Sequence, residues 1–95
     1  MMDEQKLGAV VEYLRASFPR ATIEHRPDST GNGHYFAVKL ESSTLQAVVS
    51  KEFLDGCEAS QVATRLGKFT LAEHLRDLPS EIVYVTTAGL QLEAG

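Results

Sequence analysis

Few of the 95 residues belong to types that carry chemistry; there is one cysteine and there are three histidines. Cys57 lies in Asp55-Gly56-Cys57-Glu58, which has the spacing of a capping box and would place the thiol in the first turn of a helix. The partial positive charge of a helix start favours a thiolate, so a reactive or redox-sensing cysteine has a mechanism here. Against it, Asp55 and Glu58 oppose a negative sulfur, and no second cysteine completes a Cys-x-x-Cys pair. A lone cysteine also serves well as a small buried apolar side chain.

His25 and His34 flank Gly31-Asn32-Gly33 and would approach each other across a hairpin. With a third ligand such as Asp28 or Cys57 they would make a zinc-type site. No metal-ligand spacing motif is present, however, and neither metal nor cofactor is expected. His74 stands apart, and no serine or cysteine is tied to a histidine by a recognisable motif, so no catalytic residue is assigned. The glycine loop leads into a strand rather than a helix start, which makes it a hairpin loop and not a phosphate cradle.

The elements that position these residues follow from periodicity. Leu7, Val10, Val11, Leu14 and Phe18 recur at helical spacing, Asp3 can cap the start and Pro19 stops the helix, which is expected over Glu4 to Ser17. Ala21 to Arg26 reads as a short extended piece, and Asp28 to Gly33 as a turn. His34 to Glu41 alternates, with Phe36, Val38 and Leu40 on one side and Tyr35, Lys39 and Glu41 on the other. After a reversal at Ser42-Ser43, Thr44 to Ser50 forms a third strand.

Two short helices follow. The first starts at the Asp55–Glu58 box, turns Val62, Leu66 and Ala59 inward, and ends at Gly67; the second starts at Thr70-Leu71-Ala72-Glu73, turns Leu71, Leu75 and Leu78 inward, and ends at Pro79. The β-branched and aromatic run Ile82 to Thr87 is a strand, after which Gly89 turns the chain and Leu90 and Leu92 pack as a short last extension. The expected fold is α+β: an antiparallel three- to four-stranded sheet with helices packed on one face, in the order α-β-β-β-α-α-β, with residues 1–95 as a single globular domain. Leu14 and Phe36 sit mid-stripe and are expected in the core.

The element order helix–three strands–helix over about residues 4–67 resembles that of the double-stranded RNA-binding domain. That family opens its second helix with a basic cluster, where this chain reads Asp55-Gly56-Cys57-Glu58. The resemblance therefore ends at element order, and a nucleic-acid module of α-β-β-β-α type stands as an alternative.

Thirteen acids against nine bases give a net charge of −4. Phosphate-binding surfaces need clustered Lys and Arg, and here the bases are scattered, so neither nucleic acid nor anionic membrane is expected as a partner. No apolar run approaches the ~20 residues of a membrane helix. The opening Met1-Met2-Asp3-Glu4 lacks a basic region ahead of an apolar stretch, and a single cysteine fits a reducing compartment, so the expected location is cytoplasmic.

What remains is the outward sheet face. If Phe36 and Val38 point at the helices, then Tyr35, Lys39, Gln46 and Val48 face outward and form a contact surface for a protein partner or a second copy. The expected function is a non-catalytic protein-interaction or self-association module, with a homodimer the favoured form. The alternatives are the nucleic-acid module and a small enzyme or redox sensor using Cys57.

Overall fold

The computed structural model describes residues 4–27, 33–77 and 81–94. Its elements, in chain order, are α1 (Glu4–Ser17), β1 (Thr22–Pro27), β2 (Gly33–Lys39), β3 (Thr44–Ser50), α2 (Lys51–Asp55), α3 (Ala59–Lys68), α4 (Leu71–Asp77), β4 (Glu81–Thr86) and β5 (Gly89–Ala94). The expectations placed on Asp3, Asp28 to Asn32, Leu78, Pro79 and the side chain of Leu92 lie outside the described residues.

The helix α1 buries Leu7, Val10 and Leu14, the spacing that puts side chains on one face. Its last turn closes when the Phe18 N–H donates to the Leu14 carbonyl at 2.8 Å. Pro19 then keeps the chain from continuing. The helix packs chiefly on α3, whose Val62 and Leu66 are fully buried. Farther along the same face, the Tyr13 hydroxyl accepts a hydrogen bond from the Ala72 N–H at 3.1 Å and so ties α1 to the start of α4.

The sheet has five strands in chain order, β1-β2-β3-β4-β5. All neighbours are antiparallel except β3 and β4, which pair in parallel with Ala47 opposite Val83. This corrects the expected antiparallel sheet of three or four strands. Between β3 and β4 the chain runs through α2, α3 and α4, and such a crossover returns it to the end of the sheet from which β3 started. The fifth strand arises because Gly89, at φ 123°, turns the chain back on β4. The Thr86 hydroxyl donates to the Gly89 carbonyl at 2.8 Å and accepts from the Ala88 N–H, which closes that hairpin.

Among the described residues there are four helices where three were expected. Ser50 ends β3 and caps α2, its Oγ accepting from the Phe53 N–H at 3.0 Å. That short turn exists to bury Phe53 and Leu54, each 1% exposed. The capping box then falls three residues later than expected: Glu58 is the cap residue, and its N–H donates to the Gln61 side chain. Cys57 therefore precedes α3 instead of lying in its first turn. Thr70, at φ 54°, links α3 to α4, and its hydroxyl donates to the Phe69 carbonyl rather than completing a box with Glu73.

Four helices cover one sheet face. Leu7, Val10, Leu14, Phe53, Leu54, Val62, Leu66, Leu71 and Leu75 form one core with the inner row Phe36, Val38, Leu45, Ala47, Val49, Val83 and Val85. Leu14 and Phe36 are both fully buried, as their stripes require. No described helix is long and apolar enough to cross a membrane.

Candidate functional site

Strand alternation sends every second side chain to the opposite face of the sheet. The registers line up Arg26, Tyr35, Val48, Tyr84 and Gln91 as one cross-strand row, and Glu24, Ala37, Gln46 and Ile82 as the next. Lys39 lies opposite Thr22 and Thr44 in a third. Tyr35, Lys39, Gln46 and Val48, the residues named from sequence, thus share the outer face. Ala37 and Val48 are 5% and 7% exposed yet belong to no part of the core formed with the helices. Their cover comes from neighbours in the plane of the face.

The polar groups of this face are engaged with one another. The Tyr35 hydroxyl donates to Gln46 Oε1 at 2.9 Å. The Arg26 guanidinium lies 4.6 Å from the centre of the Tyr35 ring, a cation–π contact. Lys39 and Glu24 form an ion pair at 3.0 Å, with both side chains half exposed. The result is a centre of Ala37, Val48 and Ile82 grouped around Gln46, flanked by tyrosines, with the Lys39–Glu24 pair and Arg26 at its rim. Ile82, Tyr84 and Arg26 were not assigned to it from sequence. Their strand positions carry the signal, but β4 is apolar on both faces, so alternation alone does not tell inner from outer there.

A second cluster lies at the edge of the inner face. His25 and His34 meet across the β1–β2 hairpin, Nδ1 to Nε2, at 2.8 Å. Both rings rest near Phe36, with centroids 5.7 and 5.2 Å away. His34 is 5% exposed, and its Nδ1 has no hydrogen-bond partner among the described residues. Burial first, and the neighbouring His25 charge second, push the pKa of His34 below the usual 6.5. Among the described residues, no group of three or more His, Cys, Asp or Glu is placed to hold a metal ion.

Cys57 is 5% exposed, and its Sγ–H donates to the Phe53 carbonyl at 3.3 Å. It packs with Phe53 and Leu54 as part of the core. His74 is held against the α3–α4 link by the Thr70 carbonyl at 2.9 Å and stands apart from both other histidines. A hollow of about 90 Å³ among Glu24, His25, Arg26, Tyr35 and Ala37 is well below the ~300 Å³ of a small-molecule site. A second hollow, of about 380 Å³, is lined by Ser50, Lys51, Glu52 and Thr86, with no histidine or cysteine.

Fold and surface together define a small α+β domain whose sheet is covered by helices on one side. No family model, curated protein or solved structure matches the chain.

Proposed function

We propose that this domain works by binding rather than catalysis, and that it associates with a second copy of itself through the outer face of the sheet. The observation that carries the reading is the grouping of Ala37, Val48 and Ile82 around Gln46, beside Tyr35 and Tyr84, on the face away from all four described helices. Interfaces favour this composition, with tyrosine and arginine around a core free of net charge. A twofold pairing would set the same patch against itself, so one surface serves both copies. The bases on the face favour protein over nucleic acid. Lys39 is paired with Glu24, so Arg26 stands as a single charge where phosphate binding needs a cluster of bases.

Amide spectra recorded over a dilution series test the reading. Concentration-dependent shifts confined to Tyr35, Ala37, Gln46, Val48 and Ile82 would support it. Spectra unchanged on dilution, from a species with the tumbling time of a monomer, would refute it.

A further inference from the structure

We infer that the contact between His25 and His34 is an acid-weakened latch: when neutral it fastens the end of β1 to β2, and an added proton either breaks it or strands a buried donor. A neutral imidazole carries one N–H and one bare nitrogen, so the 2.8 Å contact needs exactly one hydrogen between Nδ1 of His25 and Nε2 of His34. If His25 donated it, His34 would have to carry its own hydrogen on Nδ1, which is buried and has no acceptor among the described residues. An unmet buried donor is the costlier arrangement. The neutral latch therefore has His34 Nε2–H donating to His25 Nδ1.

Acid removes that solution. A proton taken up by His25 Nδ1 puts two donors face to face. The ring of His34 can keep the contact, as a charge-assisted bond from His25 Nδ1–H, only by moving its hydrogen to Nδ1, which has no acceptor among the described residues. A proton taken up by His34 instead goes directly to the buried Nδ1. Every protonated form thus loses the contact or strands a donor.

Among the described residues, no carboxylate forms an ion pair with either ring. Strand β1 carries Glu24 and Arg26 on the other face, and α2, packed on β2, carries exposed Lys51, Glu52 and Asp55. Helix α1, packed on β1, carries Glu4, Lys6, Glu12 and Arg15. Neither β3 residue opposite this end of β2, Val49 or Ser50, can be charged.

The latch sits where opening is easiest. The strand β1 lies at the sheet edge and is exposed at Thr22, Glu24, His25, Arg26 and Pro27. Pro27, opposite His34, has no N–H to give the ladder, and the imidazole pair adds a side-chain link beside it. Release would expose the β2 edge from His34 to Phe36, a template for strand pairing with another chain.

Hydrogen exchange resolved by residue, at about pH 7.5 and about pH 5.5, tests the latch in the region where histidine titrates. After correction for intrinsic rates, protection at Arg26, Tyr35 and Phe36 should fall about tenfold or more at the lower pH, the scale of one lost or stranded buried hydrogen bond. Protection at Val83 and Val85 should hold. His25→Gln, on an exposed position, should abolish the difference between the two ends of the sheet. Long-range imidazole nitrogen spectra at the higher pH should find the hydrogen of His34 on Nε2. Uniform loss of protection across the sheet, an acid response unaltered in His25→Gln, or a hydrogen on Nδ1 of His34 would each overturn the inference.

Discussion

Truncating Phe36 to alanine tests the packing of the inner face where it is least forgiving. The ring is fully buried in the middle of β2, with Ala47 opposite it on β3 and His25 opposite it on β1. Ala47 is too small to swing into the vacated space, and His25 is held by its contact with His34. The cavity should therefore stay open, which places the loss in the usual range for Phe→Ala, about 3–5 kcal/mol. A domain of this size holds only about 5–15 kcal/mol in total, so the variant should be marginal. At about 4–8 °C per kcal/mol, the midpoint should drop by more than ten degrees, roughly. Val48→Ala is the control. Val48 is nearly as hidden, but it is covered only by neighbours on the outer face, so its loss should be about 1 kcal/mol. Urea melts with an unchanged slope measure both. A Phe36→Ala midpoint close to wild type, or a Val48→Ala loss as large as that of Phe36→Ala, would refute the assignment of the two faces.

Tyr13→Phe removes the oxygen that accepts from the Ala72 N–H and should cost about 0.5–1.5 kcal/mol in the same melts, with helical content unchanged. Gly33→Ala should destabilise by more than its propensity gain, because a Cβ there would lie 2.6 Å from the Val49 carbonyl oxygen, a backbone atom that cannot turn aside. Stability should also depend on pH through His34. Its pKa is lowered in the fold, so the contribution is complete above about pH 6.5 and is lost as the pH falls through the folded value. Melts from neutral to mildly acidic pH should show that decline in the wild type and a shallower one in His34→Leu.

Much of the fold was legible because its elements carry one-sided patterns. The stripe of Leu7, Val10 and Leu14 has a single helical reading, and the alternation through Phe36 and Val38 has a single strand reading. The facing of Tyr35, Gln46 and Val48 followed from that alternation, as did the approach of His25 to His34 across their hairpin. The rest depends on information that local pattern does not hold. Phe53-Leu54 is too short a run to show a period, so α2 merged with the linker after β3, although Ser50 was a readable cap. The parallel pairing of β3 with β4 is decided by how three helices cross the inner face, a long-range outcome. In β4, Ile82, Val83, Tyr84 and Val85 are apolar on both sides, which hid half of the outer face. Asp55 and Glu58 each stand three residues before a Glu or Gln, and local pattern does not tell which of them starts α3; the structure starts it after Glu58, which leaves Cys57 outside the helix.

Sedimentation equilibrium from micromolar to near-millimolar concentration, on the wild type and on Val48→Lys, tests self-association through the outer face most directly. Val48 is central to the cross-strand row between Tyr35 and Tyr84, and a lysine there would set like charges against each other across a twofold axis. The account predicts a wild-type mass that rises to that of a dimer and a Val48→Lys mass that stays monomeric, with both proteins folded by circular dichroism. A wild type that remains a monomer throughout, or a Val48→Lys variant that dimerises as the wild type does, would contradict it.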